Sequence, residues 1–182
     1  MGLLNDIVAH LEAHEVPFAL CGASAMAFYG HLRFTADIDL LTTHPDACQD
    51  WFWKPLLKLS TQLDTRIGDE SDPLRALTRI RRGQDVVDVI VGRFGWQSRA
   101  VDRAHPMSGL DADGDVLVPV LELPDLILTK LFAGSSADVQ DIRALLEAQT
   151  DSERPHVTDA VQRLLDHESL SDAMRDLWLA LG

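Results

Sequence analysis

The sequence is poor in the residues that several classes of protein require. It contains two cysteines in 182 residues, Cys21 and Cys48, and they form no Cys-x-x-Cys pair. This excludes a disulfide framework and a thiolate zinc site, and it favours a reducing, cytoplasmic location. The first residues carry no basic segment, and no apolar run approaches the ~18 residues of a membrane span. We therefore expect no membrane association.

Positive charge is scarce as well. The chain has 16 Lys and Arg residues against 29 Asp and Glu residues, which gives a formal net charge of −13. Stable binding to an extended nucleic acid depends largely on Lys and Arg that neutralise phosphates, so we expect none. A small anionic ligand remains compatible with this charge where a metal ion or a local arginine cluster inverts the field.

The hydrophobic pattern predicts an α/β (α+β) fold. Hydrophobic residues make up 46% of the chain, as in ordinary globular proteins. We expect a core with a small mixed sheet over residues 1–120, followed by a helical C-terminal part over residues 121–182 that packs on it. The predicted strands are residues 18–21, 38–42, 76–81, 86–91 and 116–118. The predicted helices are residues 3–15, 25–29, 46–63 with a kink or a break at Pro55, 124–133, 135–148, 157–166 and 171–181, and residues 93–115 are turn-rich.

Two carboxylates stand at the start of a predicted strand. Asp37 and Asp39 are two residues apart, and the period of a strand places both on one face. Carboxylates held this close repel each other unless a cation lies between them. Mg²⁺ is typically held by one or two carboxylates together with water and substrate phosphates. A purely structural role at the strand edge is the alternative.

A third carboxylate, Asp88, lies in the second strand of the predicted hairpin. If this strand is next to that of Asp37 and Asp39, three carboxylates converge and could hold two metal ions. Asp88 would then be a metal ligand or the base for an attacking hydroxyl. Alternatively, it pairs across the hairpin with Arg79 or Arg81, which belong to an arginine cluster over residues 75–82.

A small-residue turn, Gly22-Ala23-Ser24, joins the first predicted strand to a helix. Small residues at such a junction allow backbone N–H groups to approach a phosphate closely, and Ser24 adds a hydroxyl donor.

These motifs together resemble a known family. The blocks Gly22-Ala23-x-Ala25, Arg33-x-Thr35-x-Asp37-Ile38-Asp39 and Lys130-Leu131-x-Ala133 … Asp138-x-x-Asp141 are similar to the signature of the DNA polymerase β-like nucleotidyltransferase superfamily. The resemblance is closest to the small bacterial AbiEii-like and minimal nucleotidyltransferases, and it covers most of the chain.

The resemblance implies a role for each matching residue. Asp37, Asp39 and Asp88 would be the catalytic, metal-binding carboxylates of a two-metal Mg²⁺ site. The nucleotide-binding residues would be Gly22, Ser24, Arg33 and Lys130. The sequence departs from the family at Ala23, where a second small residue of the turn is usually Gly or Ser, and alanine disfavours positive φ.

Structural alternatives remain open for the basic residues and the later acids. Lys130 could extend along an apolar helix to solvent, and Arg33 could pair with an acid instead of a phosphate. We expect Asp138 to cap a helix and Asp141 to lie in its first turn, where the helix dipole favours acids.

The implied function is an Mg²⁺-dependent nucleotidyltransferase. It would transfer a nucleoside monophosphate from an NTP to an acceptor hydroxyl with release of pyrophosphate, in a toxin–antitoxin context. A protein hydroxyl, a tRNA end and a small molecule all remain candidates for the acceptor. The alternatives are a non-catalytic member of the fold that binds nucleotide or a protein partner, and an unrelated metal-dependent phosphohydrolase.

Overall fold

A computed structural model describes residues 2–57, 60–108, 117–168 and 170–181. Part of the turn-rich stretch, residues 109–115, and the first residue of the predicted strand at 116–118 lie outside these ranges. Within the described residues, no helix has both the length and the apolar character needed to cross a membrane.

Seven strands of the described residues form one mixed sheet, which confirms the predicted fold class. Its order is β3-β4-β5-β2-β1-β7-β6. In the centre of the sheet, β2 runs antiparallel to β1 and parallel to β5. The strands are β1 (Phe18–Cys21), β2 (Ile38–Thr42), β3 (Thr61–Ile67), β4 (Leu74–Arg82), β5 (Asp85–Gly92), β6 (His105–Ser108) and β7 (Leu117–Val120).

Helices precede, interrupt and follow the strands. The described α-helices are α1 (Leu3–Ala13), α2 (Gly22–Met26), α3 (Asp50–Trp53), α4 (Gly95–Arg103), α5 (Leu123–Ala133), α6 (Ser136–Glu147), α7 (Glu153–His167) and α8 (Asp172–Leu179). Helix α5 packs against α6, α7 and α8, and it also contacts α2. The division into residues 1–120 and 121–182 remains a prediction.

The C-terminal helices begin and end where local chemistry predicts. Helix α5 has proline in its first turn and ends at Gly134, whose φ of 65° suits glycine. The Ser135 hydroxyl accepts from the backbone N–H of Asp138, and the Asp138 carboxylate accepts from the Ser135 N–H. The expected capping role of Asp138 is therefore confirmed.

The sequence prediction was wrong between residues 46 and 63. Instead of a helical stretch kinked or broken at Pro55, the chain forms α3 flanked by two short 3₁₀ turns, Pro45–Cys48 and Lys54–Leu56, and Thr61 already belongs to β3. The indole N–H of buried Trp53 donates to the carbonyl of Ala47 at 3.0 Å, which stabilises this compact arrangement. Strand β3 is mostly exposed, so pairing with β4 determines its conformation more than its own hydrophobic pattern does.

Helix α4 and strand β6 were not predicted either. The Gln97 side chain accepts from the backbone N–H groups of Arg93 and Phe94, at 2.7 and 2.9 Å, and this organises the start of α4. Arg103, at the end of α4, pairs through two hydrogen bonds with Asp125 of α5, at 2.9 and 2.6 Å. This contact joins the sheet-associated helix to the C-terminal helices.

The Arg103–Asp125 pair provides a test of what stabilises this packing. The Asp125 side chain is 1% exposed, so Arg103→Ala leaves a buried carboxylate without its cation. We expect a loss of about 3 kcal/mol in the free energy of unfolding, measured by urea denaturation. The control is Arg66→Ala, which breaks an exposed pair with Asp64 and should cost less than about 1 kcal/mol. Equal losses in the two variants would contradict this account.

Candidate active site

Sheet register places the acids predicted from the sequence on one row. In the parallel pair of β2 and β5, Asp39 is opposite Asp88. In the antiparallel pair of β5 and β4, Asp88 is opposite Arg79. Residues at the same register position of neighbouring strands point to the same face of the sheet. Asp39, Asp88 and Arg79 therefore share one face.

Asp37 lies immediately before β2 and is held by Thr35. The Thr35 hydroxyl is 2.7 Å from Asp37 Oδ1 and 3.1 Å from the Asp37 carbonyl oxygen. Thr35 is a positioning residue that the motif contained but to which we assigned no role. Its spacing of two residues from an acid is typical of side chains that organise a turn.

The surroundings of Asp39 raise the pKa of its carboxyl group. Burial is the largest cause that raises it, to about 6, and the charges of Asp37 and Asp88 raise it further. The charges of Lys130 and Arg79 act in the opposite direction. The ionised form of Asp39 is therefore destabilised by its surroundings, a property that functional sites often share.

The turn at Gly22 fits closely against Asp39. Gly22 has a φ of +63°, and a Cβ atom built on it would lie 1.9 Å from Asp39 Oδ2 and 2.9 Å from Asp39 Cβ. Both the conformation and the space require glycine here. The positive φ falls on Gly22 and not on Ala23, so the departure from the family pattern at Ala23 is compatible with this turn. The Ser24 hydroxyl lies 3.5 Å from the carbonyl oxygen of Asp37.

Asp88 pairs with an arginine across the hairpin, which is the alternative to metal binding that the sequence left open. Arg79 Nε donates to Asp88 Oδ1 at 2.7 Å, and its Nη2 donates to Asp88 Oδ2. The same Nη2 lies 3.4 Å from Asp37 Oδ2. A second arginine of the cluster, Arg82, is instead bound to Asp6 at 2.6 Å. Two arginines of the cluster thus pair with separate acids, Arg79 with Asp88 and Asp37, and Arg82 with Asp6.

Lys130 and Arg33, which are predicted to bind phosphate, both contact Asp141. The sequence explains this acid by its predicted position in the first turn of a helix. Lys130 Nζ and Arg33 Nη1 each lie 2.7 Å from Asp141 Oδ2. Lys130 is buried, which excludes the alternative that it extends along the helix to solvent. Burial raises the pKa of both Asp39 and Cys21, and the charge of Lys130 opposes this rise, so Lys130 lies near both groups. The common partner of Lys130 and Arg33 was not predicted, because it brings together positions 108 residues apart.

The carboxylates are chemically suited to bind one divalent cation. Their side chains would have to change position to bind two such cations. Asp37 and Asp39 provide hard oxygen donors whose mutual repulsion a cation would relieve. Both oxygens of Asp88 already accept from Arg79. Among the residues that the structure describes, no three acid, imidazole or thiol side chains are already arranged to hold a metal ion.

A cavity adjoins Asp37. It has a volume of about 340 Å³ and is lined by Ser24, Thr35, Asp37 and Asp85, together with the start of α1. This volume is within the range of small-molecule sites in proteins. The arrangement can therefore accept part of a small polar substrate directly beside Asp37.

The fit at Gly22 can be tested with a matched control. Gly22→Ala and Gly83→Ala both force alanine into a positive φ, but nothing lies within 4 Å of a Cβ at Gly83. We expect Gly22→Ala to lower the free energy of unfolding by at least about 1 kcal/mol more than Gly83→Ala, because Asp39 must also move. Urea denaturation of both variants measures this difference. If Gly83→Ala is as destabilising as Gly22→Ala, the close approach to Asp39 has no energetic cost.

The raised pKa of Asp39 predicts a stability that depends on pH. Because the folded chain binds the Asp39 proton more tightly than the unfolded chain, stability is lost as pH rises from about 3.8 to about 6. In metal-free buffer above this window, Asp39→Asn should be more stable than wild type by about 1–2 kcal/mol, after allowance for solvent screening.

Thermal denaturation at pH 4.5 and pH 8 measures this effect. We expect the advantage of Asp39→Asn to be clearly larger at pH 8. An advantage that is the same at both pH values would show that the Asp39 charge is not the cause.

Comparisons with known proteins identify the family. The model of the nucleotidyl transferase AbiEii toxin, a type IV toxin–antitoxin system protein, matches residues 6–178. No curated protein matches the chain significantly.

Two solved structures of the antibiotic-resistance factor ANT(2'')-Ia share the fold. The solution structure is 14% identical, with a TM-score of 0.52, and the match covers 90% of this chain and 91% of that one. The crystal structure in complex with adenylyl-2''-tobramycin is 16% identical, with a TM-score of 0.52, and the match covers 90% of this chain and 97% of that one. Because the family model spans nearly the whole sequence, the chain belongs to the AbiEii family and is a nucleotidyltransferase, as its motifs predict.

Proposed function

We propose that the chain transfers a nucleoside monophosphate from an NTP to an acceptor hydroxyl, with Mg²⁺ as cofactor and pyrophosphate as the second product. The observation that carries this proposal is the convergence of Asp37 and Asp88 on Asp39, beside the turn at Gly22. A cluster of repelling carboxylates lowers stability, and it is typical of sites where a metal ion and a phosphate are bound together.

The three acids have distinct roles in this proposal. Asp37 and Asp39 hold a divalent cation, and Thr35 fixes the orientation of the Asp37 carboxylate. Asp88 is the third ligand or the base that accepts the proton of the acceptor hydroxyl. A bound Mg²⁺ would neutralise charge on the phosphate oxygens and lower the barrier to attack on the α-phosphorus.

The NTP phosphates would bind at the Gly22 turn, with Lys130 and Arg33 as the cationic residues. Gly22 and Ser24 offer backbone N–H groups and a hydroxyl at the start of α2. Lys130 and Arg33 share the carboxylate of Asp141, and Lys130 Nζ also lies 3.9 Å from Asp138 Oδ1. The two cations would exchange part of these contacts for the oxygens of the triphosphate, and the charge of Lys130 already acts on Asp39.

Three classes of acceptor are compatible with the proposed transfer. The ANT(2'')-Ia structure contains adenylyl-2''-tobramycin, which makes a small molecule one candidate, and a protein hydroxyl and a tRNA end are the others. The family description supports a role as the toxin of a toxin–antitoxin pair, with an antitoxin as its protein partner. We also propose a cytoplasmic location, which is supported by two buried cysteines that form no disulfide, Cys21 and Cys48.

Incubation with α-³²P-labelled NTPs, Mg²⁺ and a cell lysate tests the activity. We expect wild type to label a discrete acceptor and to release pyrophosphate. Asp37→Asn and Asp39→Asn should each reduce labelling at least about a hundredfold, because each removes a metal ligand. The matched control is Asp64→Asn, an exposed acid on β3 opposite Arg79, which should label like wild type.

The products distinguish transfer from the other functions. Labelled NMP free in solution, with no labelled acceptor, would indicate a phosphohydrolase. Equal labelling by wild type and Asp39→Asn would show that the carboxylates take no part in the reaction. Absence of nucleotide binding at millimolar NTP, measured by calorimetry with Mg²⁺, would indicate a non-catalytic member of the fold.

A further inference from the structure

Arg79 occupies a position where a cation is expected. Its guanidinium donates to both oxygens of Asp88, a residue of β5, and its Nη2 also reaches Asp37, which precedes β2. It therefore bridges two of the three carboxylates. An ordinary cross-strand pair would contact only the neighbouring strand.

Burial explains why Asp88 needs this partner in the metal-free chain. The Asp88 side chain is 6% exposed, and a buried carboxylate without a compensating charge is strongly destabilising. Arg79 is well suited to this role, because its planar fork matches the two carboxylate oxygens. It is also one third exposed, so the guanidinium has space to move away from the acids toward solvent.

We propose that Arg79 acts as an internal substitute for the second metal ion, a role that rests on the metal-binding function proposed above. In the nucleotide-free chain the guanidinium neutralises Asp88, and Asp37 and Asp39 bind a single divalent cation. A second cation binds at Asp88 only after Arg79 leaves, because two cationic groups cannot share these oxygens without strong repulsion. The anionic oxygens of a bound NTP provide a new partner for the released guanidinium. Arg79 is thus a positioning residue that couples nucleotide binding to the metal content of the site.

Titration of the nucleotide-free chain with Mn²⁺, followed by electron paramagnetic resonance, tests this inference without any activity assay. We expect wild type to bind one Mn²⁺ per chain. Arg79→Met should bind two, with the overall affinity increased at least about tenfold. Arg79→Gln, which keeps a hydrogen-bond donor and removes the charge, should behave like Arg79→Met and provides a second variant if the first folds poorly.

Arg81→Met is the matched control for the loss of one positive charge. Arg81 is exposed and lies two residues further along β4, opposite Val86 and Gln62. It shares the sheet face of Arg79 without being opposite an acid. We expect its Mn²⁺ affinity to change less than about twofold and its stoichiometry to remain one.

Thermal denaturation separates this role from a purely structural ion pair. Without metal, Arg79→Met should melt several degrees below wild type, and saturating Mn²⁺ should raise its Tm more than that of wild type. A lowered Tm that Mn²⁺ does not recover, with unchanged affinity and stoichiometry, would overturn the inference and leave the proposed function intact. Failure of every variant and of wild type to bind Mn²⁺ would overturn both.

Discussion

The repulsion among three carboxylates is the constraint around which this site is built. It follows from the register of β2 against β5, which sets Asp39 opposite Asp88 in the middle of the sheet. A slip of one residue in either strand would turn one of these side chains to the opposite face. The buried residues that alternate with the acids, Leu40 and Val87 among them, fix the register because they must remain in the core. The hydrophobic core thus maintains an arrangement that electrostatics alone would separate.

The surroundings of the acids lower this repulsion without removing it. Arg79 compensates Asp88 directly, whereas Asp39 is only partly compensated, since its pKa remains raised to about 6. Gly22 brings the backbone so close to the Asp39 carboxylate that a side chain cannot be accommodated between them. The unfavourable energy of the cluster therefore remains concentrated on Asp39 in the metal-free chain, where a bound cation would relieve it.

The elements that the sequence predicted correctly are those that depend on local chemistry. The Asp37–Asp39 spacing, the glycine turn and the capping box at Ser135 can each be recognised within a few residues. The errors occur where distant partners decide. Strand β3 is mostly exposed and is defined by its pairing with β4. Likewise, no local pattern indicates that Arg79 reaches Asp37 as well as Asp88, because that contact requires three strands to be side by side.

The charges around Lys130 differ from those around Asp39. A buried ammonium group requires a counter-ion, and Asp141 provides it while also accepting from Arg33. Asp138 Oδ1 also lies 3.9 Å from Lys130 Nζ, so the two cations face two carboxylates. Around Asp39 the balance is different, because Asp37, Asp39 and Asp88 bring three carboxylates against the single charge of Arg79. The uncompensated charge therefore lies at the three carboxylates and not at Lys130, and this is where a bound cation would lower the energy most.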